Sequence, residues 1–264
     1  NYFLGHGYVE GQKADYDYKH ALDTAKLFQF LEDSQADELQ KFQATYGAGW
    51  QARFVDLLCK KIEDRGWEAI TLLDVDGMKK LLGFPPAPIF MLLADEAGLV
   101  TVPENDCLGN VTQAVVKALT GQIGAYLEFY EFFEEGVLAG VPDYVPAAMV
   151  DGEVTVMPAA FGELSEGILN VSKVKTGELT MCRLTSIDGE YYMHMVTGVG
   201  KTPNKWEEAG WTQPAPQLPG LEILLPDVPD FASKVMCQHY IISYGDNTEL
   251  IENLCDILGI TVIK

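Results

Sequence analysis

The sequence predicts an α/β protein in which a Rossmann-like, mainly parallel sheet is followed by a β-rich, barrel-like C-terminal domain. Two observations lead to this prediction. Up to about residue 146, strand-like and helix-like segments alternate, as they do in layers built on a parallel sheet. Beyond that point, strand-like runs with Asp-Gly turns replace helical periodicity. We therefore divide the 264 residues into a Rossmann-like α/β domain at 1–150 and a barrel-like domain at 151–264, whose last segment returns to the α/β layer.

In the first part, helices are predicted from apolar residues at helical spacing and strands from short apolar runs. One helix is expected within 19–43, and a second in "GWQARFVDLLCKKIEDRGW", which ends at Gly66. A buried strand in "EAITLL" leads into a loop with two aspartates. The segment "PAPIFMLLADEAG" predicts a helix that ends before Gly98, and "LVTVPE" predicts a strand. The segment "NVTQAVVKALTG" then predicts a helix closed by Gly121.

In the second part, "DGEVTVM", "GELTMCRLTSIDGEYYMHMVTGVG" and "GLEILLP" predict strands, and the Pro-rich "WTQPAPQLPG" predicts a loop. The end of the chain predicts a strand that contains His239 and a turn at 245–247. An amphipathic helix in "TELIENLCDILG" follows, ending at Gly259, and "ITVIK" predicts a last strand.

Charge and cysteine content narrow the class of protein. The chain has 18 Lys and Arg against 39 Asp and Glu, which gives a formal charge of −21. This charge argues against binding to a nucleic-acid phosphate backbone, because such binding uses clustered Lys and Arg. The five cysteines are scattered without a CxxC pair, which argues against a thiolate zinc site and suits a reducing compartment. No apolar run reaches the roughly 18 residues of a membrane span, and no signal-peptide pattern opens the chain. We therefore expect a cytoplasmic protein without nucleic-acid or membrane partners.

Three residues are candidates for chemistry. His239 lies within the apolar run "VMCQHYIISYGDN", although a lone strand histidine is more often structural than a ligand. Glu104 directly follows a predicted strand, and ligands gather at the carboxyl ends of strands in open α/β sheets. Glu128 lies between apolar neighbours in "GAYLEFYEF", so it either faces solvent by alternation or is buried with a partner.

Two carboxylates and one imidazole at strand ends would form a site for a divalent cation. Oxygen-rich ligation suits Mn²⁺ and Mg²⁺, and a single imidazole favours Mn²⁺. Such a site also brings acid–base groups next to a Lewis acid. The residue types of Glu104, Glu128 and His239 therefore permit a metal site with catalytic carboxylates.

Five segments, taken in order, resemble the L-fucose/L-arabinose isomerase superfamily. They are "GWEAITLLDVDGMKKLLGFP", "VPENDCLGNVTQAVVKALTG", "YLEFYEF", "VPDYVP" and the ending that runs from "WTQPAPQLPG" through "VMCQHYIISYGDN" to "ITVIK". The resemblance extends from about residue 50 to the end of the chain. It rests on the order of the segments rather than on a single motif.

The resemblance implies an Mn²⁺-dependent aldose–ketose isomerase, with another divalent ion as the alternative cofactor. The family's first metal-binding glutamate falls at Glu104, and its metal-binding histidine falls at His239. Its second acidic ligand falls at Glu128, with Glu131 as the alternative. In the family the two carboxylates are also the catalytic acid–base pair, which moves a proton between C1 and C2 of the sugar through a cis-enediol.

The resemblance also implies an assembly. Family members are homo-oligomers, commonly hexamers, and a trimer is the alternative here; their active sites lie at subunit interfaces and take a small-molecule sugar. The family's N-terminal domain, which contributes to the neighbouring subunit's site, has no counterpart in this sequence. A family histidine is also missing from "LAGVPDYVP", and Gln238 stands where arabinose isomerases often have a second histidine.

Two alternatives to a sugar isomerase stay open. A catalytically inactive carbohydrate-binding or assembly protein on the same scaffold would account for the missing histidine. A plain α/β interaction domain would not require Glu104, Glu128 and His239 to lie near one another. The sequence does not name the sugar, because discrimination among sugars depends on hydroxyl contacts and pocket shape.

Overall fold

A computed structural model describes residues 16–17, 22–23, 50–74, 78, 87–95, 97–140, 145–158, 168–203 and 219–264. The α-helices in these ranges are α1 (Trp50–Arg65), α2 (Ala87–Asp95), α3 (Cys107–Thr120), α4 (Val228–Lys234) and α5 (Thr248–Leu258). The strands are β1 (Tyr16–Asp17), β2 (Leu22–Asp23), β3 (Ala69–Thr71), β4 (Val100–Val102), β5 (Ala125–Phe132), β6 (Gly136–Gly140), β7 (Val156–Pro158), β8 (Ile168–Asn170), β9 (Gly177–Ile187), β10 (Glu190–Lys201), β11 (Gly220–Leu224), β12 (His239–Tyr244) and β13 (Thr261–Ile263). A 3₁₀ turn covers Ala147–Met149.

Six antiparallel strands form a closed barrel. The order is β11, β6, β5, β12, β9 and β10, and β10 pairs again with β11 to close the ring. Strand β13 joins the first half of β10 in parallel. The longest pairing is the β9–β10 hairpin, whose turn contains Asp188 and Gly189, both with positive φ. An Asp-Gly pair tolerates this backbone conformation, so the sequence sets the turn of the hairpin.

The predicted Rossmann-like fold class is wrong. Most strands in the described part of the chain are antiparallel, and its one separate parallel sheet is the two-stranded pair of β3 and β4. The physical reason is visible at β5, which returns through a short turn straight into β6. A tight turn joins antiparallel neighbours, whereas parallel neighbours need a long crossover connection. The barrel already begins at Ala125, so strands on both sides of residue 150 belong to it.

Several single elements agree with the sequence. The helices α1, α2, α3 and α5 and the strands β3, β4 and β12 occur where they are predicted. Gly121 and Gly259 end α3 and α5 in the left-handed conformation, as the sequence indicates. Most of the helix predicted within 19–43 lies outside the described residues, although Leu22–Asp23 pairs as a short strand with Tyr16–Asp17. The predicted Pro-rich loop also lies largely outside them.

The apolar core has two main layers, and strand β5 contributes to both. Ala125, Leu127 and Phe129 join a cluster that draws on all six barrel strands and therefore fills the barrel. Tyr126 joins a second cluster, which lies between the outer barrel wall and the helices α3 and α5. Since side chains two residues apart in a strand share a face, Glu128 lies on the same outer face as Tyr126.

Inside the barrel, His194 of β10 contacts two rings. Its Nδ1 lies 2.5 Å from the hydroxyl of Tyr240, and its ring stacks on Phe231 of α4 at 5.3 Å. Burial lowers the pKa of His194 to about 4, so the imidazole is neutral at pH 7 and shares a hydrogen bond with the tyrosine hydroxyl. A polar pair is thereby satisfied within an apolar interior. Among the helices of the described residues, none is long and apolar enough to cross a membrane.

Candidate functional site

Glu104 lies in the turn between β4 and α3, at the carboxyl end of β4. Glu104 and Asn105 have φ angles of 64° and 56°, a left-handed conformation that is uncommon outside glycine. The backbone N–H of Glu104 donates to Oδ1 of buried Asp74 at 2.7 Å, and that of Asn105 donates to the carbonyl of Leu72 at 2.9 Å. Such conformations cost about 1–3 kcal/mol each and persist where the surroundings hold them, often at functional sites. The chain that follows β3 therefore holds this turn in place.

His239 begins β12 and approaches Glu104 from the barrel. Its Nδ1 lies 3.5 Å from Oε2 of Glu104, and its side chain is 8% exposed against 38% for the glutamate. Burial lowers the pKa of His239 to about 4; the carboxylate of Asp106 opposes this fall, and the guanidinium of Arg183 adds to it. The imidazole is therefore neutral at pH 7, and its approach to Glu104 is not an ion pair. A neutral imidazole is the form that binds metal ions.

Glu128 lies directly opposite His239 in the antiparallel pairing of β5 and β12. Directly opposed side chains lie on the same face of a sheet, with Cβ atoms about 4.5–5.5 Å apart. The carboxylate of Glu128 accepts a hydrogen bond from the side-chain amide of Gln238. Burial raises the pKa of Glu128, and the nearby hydroxyl of Tyr130 opposes that rise. Glu128 is half-buried on the outer face, which lies between the solvent-facing and the buried environments considered from the sequence, and it has Gln238 as a partner.

Glu131, the alternative ligand, has different surroundings. It is exposed, it follows a bulge in the pairing of β5 with β6, and it lies opposite Leu138. Its carboxylate accepts the neighbouring backbone N–H of Phe132 at 3.0 Å. The register with His239 therefore favours Glu128 over Glu131 as the partner in a common site.

The fit of this site to a metal ion can be tested on its unsatisfied atoms. Among the described residues, Nε2 of His239 is buried without a hydrogen-bond partner, and so is Oδ2 of Asp74. Buried polar atoms are rarely left unpaired, and an ion is one of the groups that satisfies them. One imidazole and several carboxylates form a donor set that Mn²⁺ accepts. Within the described ranges, no group of three or more His, Cys, Asp or Glu side chains is placed so that it could hold a metal ion. The residue types fit a divalent ion, and of the three candidates Glu104 and His239 are the pair whose side chains approach each other.

Sequence reasoning missed a second group of polar residues centred on Asp106. This carboxylate caps α3 by accepting the N–H of Gly109 at 2.8 Å. The guanidinium of Arg183 in β9 binds both carboxylate oxygens, Nη2 to Oδ1 at 2.9 Å and Nη1 to Oδ2. Burial alone would raise the pKa of Asp106, but Arg183 and the N–H of Gly109 together hold it below its usual value. The carboxylate is therefore a charged anchor at physiological pH.

Tyr126 connects this anchor to His239. Its hydroxyl donates to Oδ2 of Asp106 at 2.9 Å, and burial together with the neighbouring carboxylates raises the pKa of the phenol, which stays protonated. The phenol ring stacks on the imidazole of His239, with centroids 4.5 Å apart and planes inclined by 12°. The candidate site thus includes the ring of Tyr126, which the hydrogen bond to Asp106 holds in place.

Part of this group left a signal in the sequence. An aspartate shortly before a predicted helix, as in "VPEND", is the pattern of an N-cap, and α3 begins directly after it. The arginine within the apolar strand "GELTMCRLTSI" indicates a buried acidic partner. No local pattern indicates the stacking of Tyr126 on His239, because the two residues meet only through the pairing of distant strands.

The sequence was compared with protein families and with curated proteins. No family model matches the sequence, and a search of curated proteins finds no match.

Proposed function

We propose that Glu104, Glu128 and His239 hold a divalent metal ion, preferably Mn²⁺, in an aldose–ketose isomerase that acts on a small sugar. The observation that carries the proposal is the position of His239, 3.5 Å from the carboxylate of Glu104 and directly opposite Glu128 in the sheet. The three residues come from three distant segments. Their proximity supports a common site for residues that were each singled out in the sequence.

In this proposal the metal, when bound, supplies a Lewis acid that polarises the sugar oxygens. The neutral imidazole of His239 offers its ring nitrogen without first losing a proton. Glu104 and Glu128 are the acid–base pair that moves a proton between C1 and C2. The raised pKa of Glu128 supports this role, because a carboxyl group whose pKa lies nearer the working pH exchanges protons more effectively.

The protein works in the cytoplasm as a homo-oligomer, a hexamer or trimer, with its active sites between subunits. Two surface pockets of the described residues lie elsewhere on the protein. One, of about 370 Å³, is lined by Glu178, Thr197 and Asp246 among others, and a second, of about 450 Å³, by Trp67 and Lys117 among others. Neither pocket includes Glu104, Glu128 or His239. A sugar held at these residues would gain its enclosure from a neighbouring chain.

A second candidate is a catalytically inactive carbohydrate-binding or assembly protein on the same scaffold. The hydrogen bond from Gln238 to Glu128 favours this candidate, because it occupies an oxygen that a metal would need. Sugar binding that is independent of divalent ions would identify it.

The test is Mn²⁺ binding by the full chain, followed by electron paramagnetic resonance of the free ion. We expect about one ion per chain in the wild type and none in His239→Ala. His194→Gln is the matched control, because His194 is also a buried strand histidine with a lowered pKa but lies inside the barrel. A panel of aldoses then tests for ketose formation. Equal Mn²⁺ binding by wild type and His239→Ala would contradict the assignment of the metal site.

A further inference from the structure

The relation between Tyr126 and His239 follows from strand pairing. Tyr126 of β5 pairs with Ile241 of β12, and His239 lies two residues before Ile241 on the same face. The two rings are therefore diagonal neighbours across an antiparallel pair, a separation that aromatic side chains can span. Their centroids are 4.5 Å apart with nearly parallel planes, so the phenol covers one face of the imidazole.

The phenol itself is fixed at both ends. Its backbone belongs to the barrel wall, and its hydroxyl donates to Asp106. Asp106 is held in turn by Arg183 and by the first turn of α3. Gly109 leaves the room for this arrangement, since a Cβ at that position would lie 2.8 Å from Nη1 of Arg183. The plane of Tyr126 is thus set by two elements outside β5.

His239 lacks the usual means of fixing a metal-binding imidazole. Such histidines commonly donate the second ring N–H to a carboxylate or carbonyl, which sets the orientation of the ring. Whichever ring nitrogen of His239 bound the ion, the other lacks such a bond. In the described part of the chain Nε2 of His239 has no hydrogen-bond partner. Its Nδ1 lies 3.5 Å from Glu104, which is longer than an ordinary hydrogen bond. Some other contact must therefore define the ring plane.

We propose that Tyr126 is a positioning residue that sets the orientation of the His239 imidazole by stacking, and that Asp106 and Arg183 fix Tyr126 from behind. The inference rests on the proposed function of His239 as a metal ligand. It adds residues that touch neither metal nor substrate, and it assigns the buried ion pair a task at the site besides joining α3 to the barrel.

The test compares Tyr126→Leu, which removes the stacked ring, with Tyr126→Phe, which keeps the ring and removes the tie to Asp106. Tyr244→Phe is the matched control, because Tyr244 ends the same strand β12 and its hydroxyl donates to the carbonyl of Lys175, away from the site. Two quantities are measured on the full chain. They are the Mn²⁺ dissociation constant and, without metal, the NMR resonances of the His239 ring.

We expect Tyr126→Leu to weaken Mn²⁺ binding by about 10- to 100-fold, the range typical for residues behind a metal ligand. The ring resonances of His239 should lose the upfield shift that a stacked aromatic ring causes, and broaden. Tyr126→Phe should keep the upfield shift, broaden the resonances and weaken Mn²⁺ binding less than Tyr126→Leu. Tyr244→Phe should change neither quantity, whereas a merely structural role for Tyr126 would lower thermal stability alone.

The outcomes separate this inference from the proposed function. Unchanged ring resonances and unchanged Mn²⁺ affinity in both Tyr126 variants would overturn the positioning role. If the wild type binds no Mn²⁺ while the resonances still respond to Tyr126, the metal site fails and the positioning of His239 stands. If Tyr126→Leu does not fold, the inference is tested on Tyr126→Phe alone. His239 resonances in Tyr126→Phe that are as sharp as in the wild type and at the same positions would overturn the role of Asp106.

Discussion

The guanidinium of Arg183 binds both carboxylate oxygens of Asp106 and thereby joins barrel strand β9 to the first turn of helix α3. The side chains are 7% and 15% exposed, so the pair is largely withdrawn from water. In such an environment, the loss of one partner leaves the other as a buried charge without a counter-ion. The pair also lies behind Tyr126, so its effects on stability and on the site can be measured separately.

Removal of Arg183 should therefore destabilise the protein strongly. We expect Arg183→Met to lower the free energy of unfolding by about 3–5 kcal/mol, measured by urea denaturation. Arg183→Met combined with Asp106→Asn should cost clearly less than the two single changes added together. The exposed pair of Lys264 and Glu252 supplies the control, since Lys264→Met should cost less than about 1 kcal/mol. Strict additivity in the double variant would contradict the coupling.

Asp74 should matter for Mn²⁺ binding through the backbone of Glu104. Asp74→Ala removes the acceptor that holds the Glu104 N–H, so the left-handed turn loses a restraint. We expect about 10- to 100-fold weaker Mn²⁺ binding, measured by titration against the free ion. Asp74→Asn keeps an acceptor oxygen and should stay much closer to the wild type. Equal losses in the two variants would indicate that the charge of Asp74 matters rather than its hydrogen bond.

The buried His194 predicts a dependence of stability on pH. Its pKa is about 4 in the folded protein and about 6.5 in an unfolded chain, so the unfolded state binds more protons between these values. Stability should therefore be full above about pH 6.5 and fall as the pH drops towards 4, by up to about 3 kcal/mol from this residue. Urea denaturation across this range should show a shallower slope in His194→Gln than in the wild type. An unchanged slope would mean that His194 is accessible to protons in the folded barrel.

The closed barrel can be tested at Gly136, where strands β6 and β11 leave no room for a Cβ. A Cβ at Gly136 of β6 would lie 2.2 Å from the carbonyl oxygen of Ile223 in β11, and a backbone atom cannot move aside. We expect Gly136→Ala to cost at least the roughly 1–3 kcal/mol typical of overpacking, measured by thermal and urea unfolding. Gly200→Ala is the milder control, because the added atom would meet the side chains of Leu179 and Leu221, which can shift. Equal stability of wild type and Gly136→Ala would argue against the pairing of β6 with β11.

The local elements were predictable because their signals are local. Helix α3 carries its cap residue and its terminal Gly121 within its own segment, and α5 ends at Gly259. The barrel was not predictable in this way, because strand β5 pairs on one side with its neighbour β6 and on the other with distant β12. Apolar runs separated by helices fit either arrangement, and only the partners of each strand distinguish them.

The candidate site was partly predictable for the same reason. Glu104 was identified by its place after a strand, and His239 by its apolar surroundings together with the resemblance. The position of Glu128 opposite His239 depends on the register of β5 and β12, which no local pattern encodes. The support of the Glu104 turn by Asp74 depends in the same way on a contact between separate segments.

The first two residues of strand β12 have their side chains on opposite faces of the barrel wall. His239 lies on the outer wall, and the next residue, Tyr240, lies inside the barrel against His194. The candidate metal ligand His239 and the core residue Tyr240 are therefore joined by a single peptide bond. Substitutions that change the volume around Tyr240 or Phe231 should tilt this strand and move His239 without touching it. Packing inside the barrel thus offers a route by which distant sequence changes adjust the geometry of the outer site.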